Sequence, residues 1–212
     1  MGGILMSLMD WVFEQSRKPT GFWGALMGKL MNLFHVPFYR LVLKQVPIEE
    51  DNRVLDIGCG AGKCLSMLAE KTPRGKAYGL DYSPDMVLMA KKVNCRLVKD
   101  GRVEVIQGSV SDMPFEDSFF NLVVACETIH FWPDLPEDLL EVSRILKPGG
   151  YFLVLNKYAR NEKEAEKLKK YFALHSPDDF QSSLEGAGFQ VEKLELIKSK
   201  GQIVIVGRKP ER

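Results

Sequence analysis

Residues 54–63 read VLDIGCGAGK, and this stretch decides how the rest of the chain is organised. Residues 54–57 are mostly apolar, which is typical of a short buried strand in a parallel sheet. Three glycines follow at alternate positions, Gly58, Gly60 and Gly62, and an amphipathic run begins at residue 64. A strand, a glycine turn and a helix in this order predict a nucleotide-binding α/β unit. In such a unit the ligand approaches the glycine backbone and meets the free N–H groups at the start of the helix.

The residues around these glycines distinguish between nucleotide ligands. A dinucleotide-binding turn would have a third glycine where Lys63 stands, and a phosphate-binding P-loop would have Ser or Thr in place of Cys64. Asp56 precedes the first glycine by two positions, and a carboxylate there would repel a pyrophosphate but suit an ammonium or sulfonium group. S-adenosylmethionine carries both groups. Residues 56–62 resemble motif I of the class I S-adenosylmethionine-dependent methyltransferases, in particular their type 11 group.

Later motifs extend the resemblance. Gly79, Asp81, Ser83 and Met86 match the family pattern G-x-D-x-S-x-x-M, in which the aspartate accepts hydrogen bonds from the ribose hydroxyls. In the family, the loop after the third strand binds the adenine of the cofactor, so the resemblance implies that the same loop does so here. The resemblance thus assigns to the cofactor the following residues: Asp56, Gly58, Cys59, Gly60, Gly62, Asp81, Tyr82, Met86, Ser109, Val110 and Cys126.

Two positions depart from the family pattern. Ser109 stands where the family usually has an aspartate that accepts from the adenine amine, and a hydroxyl can still accept one hydrogen bond. Asp112 is the nearest carboxylate that could compensate, although a turn-capping role before Pro114 fits it better. Asn121 replaces the usual aspartate at the start of the fourth strand, and we expect no effect on chemistry at the other end of that strand.

The order of predicted elements implies a Rossmann-like class I methyltransferase fold. It consists of a seven-stranded, mostly parallel sheet with helices on both faces and a terminal antiparallel hairpin around residues 199–201. The predicted strands are residues 54–57, 76–80, 103–106, 120–126, 151–156, 191–197 and 202–207. The predicted helices include residues 84–97, 136–146 and a charged helix at 160–174. The resemblance covers about residues 46–208.

The loop after the fourth strand should face the methyl group, because ligands of open α/β sheets bind outside the carboxyl ends of the strands. This loop lacks the Asn/Asp-Pro-Pro-Tyr/Phe motif of enzymes that methylate adenine or glutamine amides. His130 is the candidate catalytic base, with a structural or acceptor-shaping role as the equally weighted alternative. The other pocket candidates are Glu127, Trp132 and Tyr158.

Residues 1–45 differ in composition from the rest and are rich in Met, Trp and Phe. We expect three short helices, at residues 9–15, 24–34 and 38–45, forming an N-terminal cap or a lid over an apolar acceptor site. A contact with a membrane surface is a third possibility, although the segment lacks a strongly basic polar face. Residues 46–212 then form the cofactor-binding domain.

Composition limits the remaining functions. The 212 residues suffice for one α/β domain. With 29 basic and 28 acidic residues, the net charge is too small to attract nucleic acid. Four cysteines without C-x-x-C spacing predict reduced thiols in a cytoplasmic protein, with neither a disulfide framework nor a metal site. No apolar run has the length of a membrane span, so we expect no stable membrane insertion.

The sequence is therefore compared with three possible functions. The first is a methyltransferase that acts on a small, partly apolar acceptor, with S-adenosylmethionine as cofactor and S-adenosylhomocysteine as product. The second is a nicotinamide-dependent dehydrogenase, which Asp56, Lys63 and the terminal hairpin disfavour. The third is a catalytically silent binding or adaptor protein with a methyltransferase fold.

Overall fold

The computed structural model describes residues 35–211, which build a seven-stranded sheet covered by helices on both faces. Its strands are β1 (Arg53–Ile57), β2 (Lys76–Asp81), β3 (Val103–Gln107), β4 (Phe120–Cys126), β5 (Leu146–Lys157), β6 (Gln190–Ile197) and β7 (Gln202–Arg208). The strand order is β3-β2-β1-β4-β5-β7-β6. Strands β1 to β5 are parallel, and β7 is antiparallel to both of its neighbours. The predicted fold class and its closing hairpin are confirmed.

The helices follow the strands in the expected alternation. They are α1 (Lys63–Lys71), α2 (Pro84–Val93), α3 (Cys95–Lys99), α4 (Leu135–Ile145), α5 (Glu162–Leu168) and α6 (Pro177–Gly186), with a 3₁₀ turn at Ile129–Phe131. Residues 35–42 are also helical. The two helices predicted at residues 9–15 and 24–34 lie outside the described residues.

Strand alternation divides the core into two layers, because successive side chains of a strand point to opposite faces. Val54 packs with Leu65 and Ala90 of α1 and α2, whereas Leu55 packs with Leu139 and other residues of α4 and α6. Val42, Leu43 and Val46 belong to the first layer. By the same alternation, Asp56 lies on the face covered by α1, and Cys126 shares that face.

The helix predicted at residues 38–45 ends at residue 42. Three further element boundaries predicted from the sequence are wrong. Helix α2 ends at Val93 because the buried Asn94 side chain donates to the carbonyls of Ala90 and Gly62, at 3.0 Å each. Strand β5 begins at Leu146 instead of residue 151, because Gly149 and Gly150 pair with Lys209.

The third error concerns the charged segment at residues 160–174, of which only Glu162–Leu168 is helical. The chain leaves the helix because Phe172 is buried against His130, and the Ala173 N–H donates to the His130 carbonyl at 3.1 Å. Periodicity of charge could not predict this contact, which joins two segments distant in sequence.

Candidate active site

The glycine turn is folded tightly against the end of β2. The N–H groups of Gly58 and Cys59 donate to the Leu80 carbonyl at 2.8 and 3.1 Å, and the Gly62 N–H donates to the Cys59 carbonyl at 2.9 Å. Gly58, Gly60 and Gly62 all have positive φ, at 68°, 51° and 82°. Glycine adopts this left-handed backbone conformation without strain, so all three positions favour glycine.

The first two glycines face different surroundings. A Cβ atom on Gly58 would lie 2.2 Å from the Thr128 Oγ1, so this glycine is required by the protein's own packing. A Cβ atom on Gly60 would meet no heavy atom within 4 Å. The backbone of Gly60 therefore borders open space that a ligand can occupy, as the sequence pattern predicted for this turn.

Asp56 lies beneath the start of α1. It is 2% exposed, and its carboxyl accepts hydrogen bonds from the Cys64 thiol and the Leu65 N–H. Its Oδ2 has no hydrogen-bond partner within residues 35–211. Burial, and secondly repulsion by Asp81, raise the pKa of Asp56 to about 8, so this carboxyl is mainly protonated at pH 7. A positively charged group nearby would lower that pKa and favour the carboxylate.

Asp81, at the end of β2, holds two backbone segments together. Its Oδ2 accepts from the Gly60 N–H at 2.8 Å, and its Oδ1 accepts from the Ser83 N–H at 2.9 Å. Burial raises the pKa of Asp81 although both hydrogen bonds oppose this shift. Ser83 then caps α2 by accepting from the Met86 N–H at 3.4 Å. Tyr82, between these two residues, is 65% exposed.

The loop after β3 continues the row of predicted cofactor residues along the same sheet edge. The Gly108 N–H donates to the Asp81 carbonyl at 3.1 Å, which fixes this loop next to β2. The Ser109 hydroxyl accepts from the Ser111 N–H at 3.2 Å, so it also stabilises the local turn. Val110 is buried, whereas Asp112 is exposed.

On the other side of β1, the end of β4 carries Cys126 and Glu127. Cys126 is buried, its thiol forms a hydrogen bond with that of Cys64, and all four cysteines are free. Glu127 has a φ of 56°, which is rare outside glycine, and its buried side chain accepts from the Gln202 Nε2 at 2.6 Å. Burial raises the pKa of Glu127, against the attraction of the Lys157 ammonium.

His130 is in the same loop, and the hydrogen bonds and ring contacts described for its side chain within residues 35–211 involve no predicted cofactor residue. Its ring is 5% exposed, packs at 4.5 Å between centroids on Phe172, and places Nδ1 3.0 Å from the Asn156 Oδ1. The Asn156 Nδ2 donates to the Lys157 carbonyl at 3.3 Å, which assigns Oδ1 as acceptor and Nδ1–H as donor. Burial lowers the pKa of His130 to about 4, so the imidazole is neutral at pH 7.

The other two pocket candidates belong to the apolar core. Trp132 is buried and stacks on Phe152 at 6.3 Å between centroids, and Tyr158 is buried in the same core layer. The sequence analysis missed Asn156 and Gln202, which complete the buried polar pairs of His130 and Glu127. A signal was present, since each is a polar residue at the end of a strongly apolar strand.

Tyr39, from helical residues 35–42, is a further residue that the sequence analysis missed. Burial and the neighbouring acidic groups of Cys64, Cys126, Asp56 and Glu127 raise the pKa of its phenol well above the usual range. Tyr39 is half-buried and packs against the core layer that contains Cys64 and Cys126, on the sheet face that carries Asp56. Nothing in the apolar sequence around Tyr39 indicated where this segment would pack.

Two structural absences complete the description of the site. Between residues 35 and 211, no group of three or more His, Cys, Asp or Glu side chains could hold a metal ion. None of the helices described for this part of the chain is long and apolar enough to cross a membrane.

A parallel sheet that reverses order between β1 and β4, a glycine turn after β1 and a carboxylate at the end of β2 define a Rossmann-like class I methyltransferase fold. Residues 55–154 match the methyltransferase-domain family. This match includes the glycine turn and Asp81, and it supports the predicted resemblance to the class I S-adenosylmethionine-dependent methyltransferases.

Several known proteins are similar to this chain. The fatty-acid O-methyltransferase of Mycolicibacterium smegmatis is 36% identical over 124 residues, which is 58% of this chain and 43% of that protein. A demethylmenaquinone methyltransferase of Chlorobaculum tepidum is 33% identical over 56% of this chain and 46% of its own length. The chain thus spans less than half the length of both relatives.

One solved structure shows how far the fold extends. It is a methyltransferase in complex with the Trm112 methyltransferase activator of Haloferax volcanii, with a TM-score of 0.77, 24% identity and coverage of 87% of this chain and 94% of that one. At this identity the likeness concerns the fold alone. The shared fold extends well beyond the 55–154 family match.

Proposed function

We propose that this protein transfers a methyl group from S-adenosylmethionine to a small, partly apolar acceptor. The observation that carries the proposal is the row formed by Asp56, the open backbone of Gly60, and Asp81 at the carboxyl edge of the sheet. This row lies where the strand order reverses, which is the ligand-binding position of open α/β sheets.

The chemistry of these residues fits the cofactor. The unpaired Oδ2 of the buried Asp56 favours a nearby positive charge, which S-adenosylmethionine carries on its sulfur and on its amino group. Asp81 has acceptor capacity for ribose hydroxyls beyond its two backbone hydrogen bonds. Ser109 and Val110, beside β2, are the residues we assign to adenine.

When bound, S-adenosylmethionine would supply an electrophilic methyl group, so the protein's own task is to orient the acceptor and exclude water. A base is needed only for an acceptor atom that is protonated at working pH. His130 is neutral at pH 7 with its proton on Nδ1, so its Nε2 could accept a hydrogen bond or a proton. A role in shaping the acceptor pocket is equally compatible with its burial.

Aromatic side chains and the names of the relatives support an apolar acceptor. Phe131 and Phe172 pack on His130, and Tyr39 packs against the core layer that contains Cys126. Both relatives named above have lipid-like molecules in their names. The balanced charge argues against nucleic acid as partner, and the four free cysteines support a cytoplasmic location.

Binding of the cofactor and its product tests this proposal directly. At 100 times its dissociation constant, S-adenosylhomocysteine should stabilise the fold by about 2.7 kcal/mol, visible as a higher melting temperature, whereas NAD should have no effect. If neither S-adenosylmethionine nor S-adenosylhomocysteine raises the melting temperature, the proposal is refuted. Binding without turnover on a panel of apolar acceptors would favour the silent binding protein instead.

Residues 1–45 are the part of the chain that we expect to control access of the acceptor, as a lid or a cap. Phe38 and Tyr39 support this placement, since they pack on the core layer that contains Cys64 and Cys126 and so anchor the preceding residues beside the site. The Phe38 ring also lies 4.6 Å from the Lys200 ammonium. A chain that starts at Val36 should keep cofactor affinity but lose methyl transfer. Full turnover by this truncated chain would exclude the lid.

A further inference from the structure

Glu127 and Gln202 form a buried carboxyl–amide pair at the carboxyl edge of the sheet. The Gln202 Nε2 donates to the Glu127 Oε1 at 2.6 Å, and the two residues are 8% and 5% exposed. Glu127 follows directly after β4, and Gln202 opens β7 opposite Lys157, the last residue of β5. The pair therefore lies on the acceptor side of the switch point.

Each member of the pair has one unused oxygen. The Glu127 Oε2 and the Gln202 Oε1 are both buried, and neither has a hydrogen-bond partner in the described part of the chain. Burying an acceptor without a partner destabilises a folded protein, so such atoms call for a specific explanation. A ligand group that meets the Gln202 Oε1 must donate a hydrogen bond, because an amide oxygen cannot donate.

The backbone of Glu127 is held in an unfavourable conformation. Its φ of 56° lies in the left-handed region, and its N–H donates to the Leu155 carbonyl at 2.6 Å. A non-glycine residue in this region costs free energy that the surrounding structure must compensate, and such residues concentrate at functional sites. The effect here is to turn a carboxyl side chain inward at the point where β4 ends.

The charges around the pair disfavour an anionic ligand. Asp56, on the neighbouring strand β1, is a second buried carboxyl group near this end of β4. The Lys157 ammonium attracts Glu127, but Lys157 is exposed and forms no hydrogen bond with that carboxyl within residues 35–211. A ligand carboxylate would add negative charge and leave the Gln202 oxygen without a donor.

We propose that Glu127 and Gln202 select the methyl acceptor by binding a head group that donates hydrogen bonds, an alcohol, a phenol or an amine, in preference to a carboxylate or an ether. This inference rests on the proposed methyltransferase function and specifies the substrate class of the same site. It also distinguishes the chain from a protein that methylates carboxylates.

Four probes with one decyl chain test the head group: decanol, decylamine, decanoate and decyl methyl ether. Their dissociation constants are measured by calorimetry on the full chain saturated with S-adenosylhomocysteine. Decanol and decylamine should bind at least tenfold more tightly than the other two. In Glu127→Gln the new amide can donate to the Gln202 Oε1, so the two side chains satisfy each other. The preference for decanol and decylamine should then fall below twofold, and the melting temperature should stay the same.

Glu195→Gln is the matched control, because Glu195 is an exposed carboxylate on β6 that pairs with Lys193. This variant should keep the tenfold preference of the unmodified protein. Equal binding of the four probes, or no binding of any, would overturn the inference while leaving S-adenosylhomocysteine binding, and hence the proposed function, intact.

Two further outcomes concern the cofactor itself. If Glu127→Gln weakens S-adenosylhomocysteine tenfold or more, the pair holds the ammonium group of the cofactor, and the inference about the acceptor is wrong. If the unmodified chain does not bind S-adenosylhomocysteine, the proposed function fails and the inference fails with it.

Discussion

The proposed cofactor side of the site, formed by the ends of β1, β2 and β3, is built differently from the proposed acceptor side, formed by the loop after β4 and the adjoining ends of β5 and β7. On the cofactor side, adjacent βα units contact each other through backbone groups, as when Asp81 accepts from the N–H groups of Gly60 and Ser83. On the acceptor side, side chains from distant segments pair, as Glu127 does with Gln202 and His130 with Asn156.

This difference explains why the glycine turn could be predicted and the buried side-chain pairs could not. Backbone contacts of a glycine turn depend on a few residues in fixed spacing, so the same motif serves many proteins with one cofactor. Pairs of buried side chains depend on which segments the fold brings together, and they can change with the acceptor. The following four predictions test whether the two sides differ in this way, beginning with the largest expected effect.

Alanine at Gly58 should mainly destabilise the fold, whereas alanine at Gly60 should mainly weaken ligand binding. In Gly58→Ala the new Cβ would clash with Thr128 in a left-handed backbone, at a cost of about 2–5 kcal/mol in the free energy of unfolding. Gly60→Ala meets no atom of the protein and should cost about 1–2 kcal/mol, but its Cβ would occupy ligand space. Urea unfolding and calorimetry with S-adenosylhomocysteine measure both effects.

Thr128→Gly provides the control, since it removes the atoms that the new Cβ would meet. It should recover part of the stability that Gly58→Ala loses and none of what Gly60→Ala loses. Equal destabilisation by the two alanine substitutions would show that the glycines are needed only for their backbone conformation.

Buried titratable groups on the two sides should give opposite pH dependences of stability. The pKa of Asp56 in the folded protein is raised to about 8, so the unliganded protein should lose up to about 3 kcal/mol as pH rises from 5 to 8. The pKa of His130 is lowered to about 4, so stability should fall by about 2 kcal/mol as pH decreases from 7.5 to 5, because only the unfolded state then binds the proton.

Urea midpoints at pH 5, 6.5 and 8 for Asp56→Asn and His130→Gln separate these two contributions. Asp56→Asn should reduce the loss at high pH to the part caused by Asp81 and Glu127, whose pKa values burial also raises. His130→Gln should remove the loss at low pH. A variant with an unchanged pH profile would show that its side chain is not the titrating group.

Asp81 tests whether the cofactor side depends on a single carboxylate. Asp81→Ala should weaken cofactor binding about tenfold to a hundredfold, since a hydrogen bond to a charged group contributes about 1.5–3 kcal/mol. The structure adds a second effect, because the Gly60 and Ser83 N–H groups would lose their acceptor.

Asp81→Asn retains one carbonyl oxygen and should therefore be less destabilised than Asp81→Ala while binding the cofactor more weakly than the unmodified protein. Calorimetry and thermal unfolding of both variants give the two quantities. An unchanged dissociation constant in both variants would place the ribose elsewhere.

The smallest effect is expected at the opposite edge of the sheet, far from both sides of the site. The Asn121 Oδ1 accepts from the Arg53 N–H at 3.0 Å and from the Lys147 Nζ at 3.2 Å. Asn121→Asp, which restores the usual family residue, keeps both acceptor contacts and should change the free energy of unfolding by no more than about 0.5 kcal/mol. An altered affinity for S-adenosylhomocysteine would contradict the independence of the two edges.

The sequence by itself determined the fold class, the succession of strands along the chain and the glycine turn after β1. A glycine turn between an apolar strand and a helix needs few residues, and the turn signal at residues 199–201 indicates a hairpin without distant contacts. The family resemblance and the positive φ of Gly58, Gly60 and Gly62 follow from the same local chemistry.

Only the tertiary structure decided what the sequence could not encode locally. Thr128 packs against Gly58, Phe172 ends the charged helix early by burying itself on His130, and Gln202 reaches Glu127 across the sheet. Each of these contacts joins residues far apart in the chain, so its existence depends on the complete sheet order. The physical reason is that burial, unlike turn geometry or helix periodicity, is a property of the assembled fold.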